Sequence, residues 1–453
     1  MVNRIIMPED VQALIHRLQQ AGYRAYAVGG CVRDSILQKE PEDWDICTSA
    51  LPQQTLAVLQ LSNIIENGLK HGTVTVRYHQ QNYEITTFRT DGVYTDNRRP
   101  SSVTFVTDVR EDLRRRDFTV NALAYNEEEG MLDYFGGVED IQHRQLRCVG
   151  VPDERFQEDG LRIMRALRFA SRDGFHIEQA TADAIHRNAG LLRNIAIERI
   201  NSELNKLLVG DNVEEILTEF PDVLAVVIPE LTPLFGFEQH NPHHALDAWQ
   251  HTVKVVALTP KDKCLRLAAL FHDIGKPDTF TMDEQGIGHF YGHPQRSEAL
   301  TNTILRRMRY DNDTIAQVTK LVALHDRHPS LTARSVRRFL SETGDTLLPA
   351  LLQLQRADAY AKGIPVDEET AAYFDKLAAL CEQEMKAPTA YTLKMLAVNG
   401  NDLMAIGIQS GVQVGRILHA LLEGVIDGEL VNDKAVLLQA ARNAACGGSM
   451  NNE

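Results

Sequence analysis

The chain has 453 residues, 43% of them hydrophobic and 24% charged, with 47 basic against 62 acidic side chains and a formal charge of −15. At roughly 100–200 residues per domain, that length gives two to four domains with an ample apolar core, and the composition excludes collagenous, low-complexity and mostly disordered chains. The acidic balance argues against a protein that coats nucleic acid non-specifically, while leaving room for a local basic groove.

In chain order, Val11, Leu14, Ile15 and Leu18 repeat at helical spacing and predict a helix over 8–21. Alternating, β-branched runs at 25–30, 43–48, 72–78, 83–88 and 122–126 predict a small mixed sheet with helices. From about residue 155 the β signal fades, and amphipathic runs such as 158–172 and 195–210 dominate. The expected fold is therefore an α+β head followed by an all-α region. Histidines 243, 244, 251, 272, 289, 293, 325 and 328 gather in that region and suggest a second functional unit. Cysteines 31, 47, 148, 264, 381 and 446 form no close pair, so reduced cytosolic thiols are expected. No apolar run reaches the roughly 18 residues of a membrane span, and the N-terminus lacks a signal core, so the protein is expected in the cytoplasm with no membrane partner.

The strand predicted at 43–48 carries Asp43 and Asp45, two residues apart, which on a β-strand puts both carboxylates on one face. Two hard oxygen ligands aimed at one point suit Mg²⁺ and substrate phosphates. A solvated strand edge is the competing reading. Upstream, Gly29-Gly30 ends a strand and opens a helix, where bare backbone N–H groups can approach a triphosphate and Arg33 can add a bidentate phosphate contact. Glu84, on the strand predicted at 83–88, offers a third carboxylate to a two-metal site; pairing with a neighbouring arginine is its alternative role.

These parts together resemble the polymerase-β-like nucleotidyltransferase superfamily, and within it the branch of CCA-adding tRNA nucleotidyltransferases and bacterial poly(A) polymerases of class II. The resemblance extends through Arg114-Arg115-Arg116-Asp117-Phe118-Thr119-Val120-Asn121-Ala122, through the run Glu158-Asp159-Gly160-Leu161-Arg162 to Arg165, Arg168 and Phe169, and through Glu198-Arg199-Ile200 with Glu203 and Lys206. It implies Asp43, Asp45 and Glu84 as catalytic carboxylates, and nucleotide contacts from Gly29, Gly30, Arg33, Arg116, Asp117 and Asn121. It also implies that Asp159 and Arg162, with help from Arg116, read the base. Physically, Asp159 and Arg162 at i, i+3 share a helix face, where an acceptor and a rigid fork of donors suit the Watson–Crick edges of C and A. A weak intrahelical pair is the plain alternative. Arg165 and Arg168 continue the stripe, toward nucleotide or RNA phosphates or toward solvent.

Two segments favour CCA addition over poly(A) synthesis or an A-adding specialist. Residues 66–74, Glu66-Asn67-Gly68-Leu69-Lys70-His71-Gly72-Thr73-Val74, look like the G-x-K-H-G-T-V stretch of CCA-adding members. The polar, turn-rich run 91–100 resembles the flexible loop of enzymes that add the terminal A.

Phe271-His272-Asp273-Ile274-Gly275-Lys276 closely resembles the H-D-I-G-K signature of the HD phosphohydrolase superfamily. Adjacent His and Asp on a helix diverge by roughly 100°, so a metal must sit off the flank with ligands from other helices. The resemblance implies His251 and Asp358 as those ligands, and His293 and His325 extend the set toward a second ion. Mixed imidazole and carboxylate ligation suits a divalent transition metal more than Mg²⁺. A degenerate domain kept as an RNA-binding platform is the competing reading. The expected organisation is a nucleotidyltransferase head at 1–145, a helical neck at 146–212, an HD-type domain at 213–385 and a helical tail at 386–453. The expected partners are tRNA, CTP and ATP. The rival class is an HD phosphohydrolase whose head only binds RNA.

Overall fold

The computed structural model describes residues 4–60, 64–65, 72–92, 102–242 and 245–447. Most of the 66–74 stretch, most of the 91–100 loop and His243 and His244 lie outside the described residues. The chain forms two compact units, Met1–Thr232 and Pro233–Glu453.

In the first unit the helix Glu9–Gln20 buries Val11, Leu14, Ile15 and Leu18, as the spacing predicts. The strands are β1 (Ala25–Val28), β2 (Ile46–Thr48), β3 (Ile64–Ile65), β4 (Thr73–Tyr78), β5 (Gln81–Thr87), β6 (Arg89–Asp91), β7 (Val103–Phe105), β8 (Leu123–Asn126) and β9 (Gly130–Asp133). Seven of them form one sheet in the order β3-β4-β5-β2-β1-β8-β9. Only β2 and β5 pair in parallel within it, so the sheet is mixed. Central strand β1 is buried on both faces, and Tyr26 and Val28 join Cys47, Phe88 and Leu113 in the core. Strand β2 starts later than the sequence suggests: Asp43 and Asp45 sit in the segment entering it, with only the Asp45 carbonyl accepting a ladder-like bond from Val28 N–H at 3.0 Å.

The helix expected over 158–172 is broken. One helix ends at Glu158 and the next runs Leu161–Asp173, because Asp159 takes an extended conformation (φ −137°) and its carboxylate caps the second helix by accepting Leu161 N–H at 3.0 Å. Ile197–Leu208 packs along Leu161–Asp173, and Val213–Glu219 also packs on it, within the same unit.

The second unit is helical apart from a two-stranded ladder, Thr281–Met282 with Gly288–His289. Helices Ala248–Leu258, Lys263–Phe271, His293–Arg307, Asn312–Leu324 and Leu348–Tyr360 pack in a mutually contacting group. Helix Lys263–Phe271 ends just before His272, and residues 272–275 form a turn. Gly275 is required there: a Cβ would lie 2.7 Å from the Ser297 backbone nitrogen, so only glycine lets the turn press against helix His293–Arg307. Among the described residues no helix is long and apolar enough to cross a membrane, and Cys31, Cys47, Cys148, Cys264 and Cys381 are buried and free.

Candidate active site and candidate metal centre

The first unit holds a cleft of about 600 Å³ whose lining includes Gly29, Gly30, Arg33, Asp43, Asp45 and Arg116. The β2–β5 pairing sets Ile46 beside Ile85, which brings Asp45, one residue earlier, next to Glu84. Asp43, Asp45 and Glu84 are all exposed residues, and of the three only Asp43 and Asp45 line the cleft. The crowded cleft nevertheless pushes the Asp45 carboxyl above its ordinary value; the Glu84 and Asp43 charges add to that, and Arg116 opposes it. An all-oxygen set that resists its own negative charge fits a hard divalent cation.

Gly29 acts differently from the expectation. Its N–H is occupied by Leu123 O at 3.0 Å, so it does not cradle phosphate. With φ at +82° and no side chain, it instead lets Arg116 lie over the turn, where a Cβ would come within 2.7 Å of the guanidinium. Arg116 in turn contacts buried Asp112 at 3.5 Å, and its Nε has no partner.

Behind the carboxylates runs a hydrogen-bonded chain. Arg33, 4% exposed, donates to Asn121 Oδ1 at 2.6 Å and to Asp34 at 2.9 Å; Asn121 donates to Asp117 at 3.1 Å; and Arg165 grips Asp117 with bonds of 2.8 and 2.6 Å. Burial opposes charge on Asp117, but the Arg165 guanidinium and the Asn121 amide hold its carboxyl well below the usual range. Arg33, Arg165 and Arg168 all stack on Phe169, at 4.9, 5.4 and 4.0 Å from the ring centre. Arg168 meets Glu203 at 3.2 Å, and burial pulls its guanidinium down to about 10. The arginine stripe is thus neither solvated nor free: carboxylates on facing segments claim it. Phe169, Lys39 and Arg172 also line the cleft. Sequence reasoning missed them as site residues, although Phe169 at one turn from Arg165 was the available signal.

Asp159 and Arg162 do not share a helix face, because Asp159 precedes the helix. Besides capping Leu161, its carboxylate meets Arg199 at 3.3 Å. Arg162 is 9% exposed and donates to Glu158 at 2.5 Å and to the carbonyls of Arg155 and Arg115, each at 2.9 Å. Neither residue lines the cleft as described.

In the second unit the expected ligands converge. His272 and Asp273 lie on the turn rather than on the helix, which removes the 100° divergence and brings His272 Nε2 to 3.2 Å from Asp273 Oδ2. His251 Nε2 is 2.9 Å from Asp358 Oδ1 and 3.3 Å from His272 Nε2. On the other side of Asp273, His293 and His325 place their Nε2 atoms 3.4 and 3.6 Å from Oδ1 and 3.2 Å from each other. In every imidazole the other nitrogen is spent: Nδ1 of His251, His272, His293 and His325 contacts the carbonyls of Ala361, Ala269, Phe290 and Val322 at 3.3, 2.7, 2.9 and 2.7 Å. A carbonyl cannot donate, so Nδ1 carries a proton in each ring and Nε2 is the nitrogen turned inward. Nε2 atoms 3.2–3.3 Å apart beside two carboxylates call for positive charge among them, from a proton or a bound cation. Lys276 Nζ, 2.6 Å from Asp273 Oδ2, supplies part of it. Burial works against charge on His272, yet the Asp273 and Asp358 carboxylates push its imidazole up to about 10, so without a metal a proton on this ring supplies part of that charge. The donors divide into two groups that share Asp273: His251 with His272, and His293 with His325.

Sequence profiles of the "Poly A polymerase head domain", the "Probable RNA and SrmB- binding site of polymerase A" and tRNA nucleotidyltransferase domain 2 match residues 25–147, 174–234 and 279–441. The chain is 37% identical to a CCA-adding enzyme of Limosilactobacillus reuteri over 95% of both chains, and 38% identical to one of Levilactobacillus brevis over 96% of this chain and 98% of the relative. Among solved structures, the Bacillus stearothermophilus CCA-adding enzyme in complex with CTP matches with a TM-score of 0.71 at 31% identity, over 99% of this chain and all of that one.

Proposed function

This chain belongs to the CCA-adding enzyme family, and we propose, with that as premise, that its first unit builds or repairs the 3′-terminal CCA of tRNA from CTP and ATP without a nucleic-acid template. It is a nucleotidyltransferase. The observation that carries the proposal is the pair Asp43 and Asp45 in a cleft also lined by Arg33, Arg116, Arg165 and Arg172, with the Glu84 charge felt at Asp45. The tRNA 3′ hydroxyl attacks the α-phosphorus of the bound triphosphate; the new P–O bond forms as the bond to pyrophosphate breaks. Mg²⁺ held by Asp43 and Asp45, with Glu84 as a further oxygen, would supply charge stabilisation to both the attacking and leaving oxygens. Arg116 and the exposed ends of Arg165 and Arg172 offer cations to the phosphates, while Phe169 keeps the arginine forks in place. Asp159 and Arg162 act as the base-reading pair in this proposal, which requires Arg162 to exchange its carbonyl partners for a base edge. Incubation with tRNA lacking CCA, CTP, ATP and Mg²⁺, read at single-nucleotide resolution, tests it: stepwise addition of C, C and A is expected, whereas a single A or a long A tract would assign the A-adding or poly(A) activity instead.

A second reading applies to the second unit: a metal-dependent phosphohydrolase acting on phosphate esters. Its support is the set of four inward-facing Nε2 atoms with two carboxylates, a donor set that fits divalent transition ions. His251, His272, Asp273 and Asp358 would hold one ion, and His293 and His325 would hold a second through shared Asp273. Such ions supply a nucleophilic hydroxide at neutral pH. Hydrolysis of a 2′,3′-cyclic nucleotide in the presence of Mn²⁺, Ni²⁺ or Co²⁺, lost in His272→Ala, is the expected result; no hydrolysis and no bound metal would remove this reading.

A further inference from the structure

The cavity at the histidine centre, about 320 Å³, is lined by the ligand candidates Asp273, His293, His325 and Asp358 and also by Tyr291 and Lys362. Tyr291 is 78% exposed, a large aromatic surface left in water beside a polar pocket. It is nevertheless not a loose surface residue. Its ring lies nearly parallel to that of His289, with centroids 5.3 Å apart and planes 10° from each other, and His289 Nε2 is tied to Asp283 at 2.9 Å. His289 itself sits in the two-stranded ladder. Between the two, Phe290 is anchored inward: its ring packs with Phe237 and Phe280, Lys276 lies over it at 5.2 Å, and its carbonyl fixes His293 Nδ1. Because residue 290 is held from the inside, residues 289 and 291 are presented together on the outside, a braced two-ring platform two residues from the candidate ligand His293. Lys362 pairs with no side chain among the described residues and offers the pocket a free cation.

We infer that Tyr291, braced by His289, is the base-stacking residue of this pocket, and that it makes the centre selective for nucleoside phosphate esters over esters without an aromatic base. The inference rests on the phosphohydrolase reading above. An exposed aromatic plane accepts any nucleobase face, with little dependence on which base it is, and Lys362 meets the phosphate charge. In the hydrolysis itself water adds to phosphorus, one ring P–O bond of the cyclic ester breaks, and the proton passes to the released sugar oxygen.

The test uses the full-length protein and two cyclic esters with the same reacting ring, adenosine 2′,3′-cyclic phosphate and glycerol 1,2-cyclic phosphate. Tyr291→Ala is expected to raise KM for the adenosine ester about tenfold with kcat nearly unchanged, to leave the glycerol ester unaffected, and to be rescued by Tyr291→Phe. Equal loss on both esters, or loss on neither, overturns the platform. A second readout does not depend on turnover. Tyr291→Trp places an indole in the stack, and adenosine 3′-monophosphate should quench its fluorescence beyond the change seen in wild type, while glycerol 3-phosphate should not. Quenching without any hydrolysis would keep the platform and discard the phosphohydrolase; hydrolysis without either effect would do the reverse.

Discussion

The two candidate centres solve the problem of clustered charge in opposite ways. In the head, nearly every buried charge has a protein counter-charge: Asp117 has Arg165, Glu203 has Arg168, and Asp112 has Arg115 and Arg116. Asp43, Asp45 and Glu84 stay exposed, so this site keeps open carboxylates for a cation and the substrate completes it. In the helical unit the counter-charge is packed into one cluster. Four imidazoles are locked by backbone carbonyls so that their Nε2 atoms meet, and Lys276 and His272 contact the central Asp273. On the proposed metal assignments the two centres should answer differently to metal removal, the head by losing activity and the histidine centre by losing stability as well.

Four measurements would break or sharpen that contrast. The largest effect is expected from Asp43→Ala or Asp45→Ala: incorporation of both C and A should fall by about three orders of magnitude, with tRNA binding within a few-fold and metal content of the histidine centre unchanged. Near-normal turnover in either variant would remove these residues from the site.

Asp117→Ala leaves Arg165 without its partner and should destabilise the first unit by about 3 kcal/mol at neutral pH, measured by denaturant unfolding. The pH dependence has a fixed sign. Asp117 is held below its ordinary value, so its contribution is fully present above the unfolded pKa near 3.9 and is lost as pH falls through that value toward the folded one. The gap between wild type and variant should therefore be constant from pH 7 to 5 and narrow below about pH 4.

Chelation should lower the melting transition of the second unit, and restoring Mn²⁺ or Ni²⁺ at a hundred times its Kd should return about 2.7 kcal/mol. Mg²⁺-dependent nucleotide addition should survive. A His251→Ala variant whose melt still responds to these metals would contradict the ligand assignment.

The smallest effect concerns base choice. Asp159→Ala and Arg162→Ala should change the preference among CTP, ATP, UTP and GTP by about tenfold or more. Slower addition with unchanged preference would mark Arg162 as a structural clamp on Glu158 and the Arg115 and Arg155 carbonyls.

Much of this was readable from the residues alone. The period-2 runs located the central strands, the apolar spacing located helix Glu9–Gln20, and every histidine and aspartate expected at the second centre does meet there. Local pattern settles those features because side-chain periodicity and ligand type are properties of the chain itself. Tertiary structure decided the remainder. Strand β2 begins only at Ile46, so Asp43 and Asp45 project from an entry segment. The helix breaks at Asp159 because a carboxylate that can cap will do so, which no count of i, i+3 spacing reveals. Arg165 and Arg168 look like a solvated stripe until Asp117 and Glu203 are brought from distant segments to meet them. The demand for a cation at the histidine centre lies in which nitrogen faces inward, and that is set by four backbone carbonyls whose positions only the folded helices define.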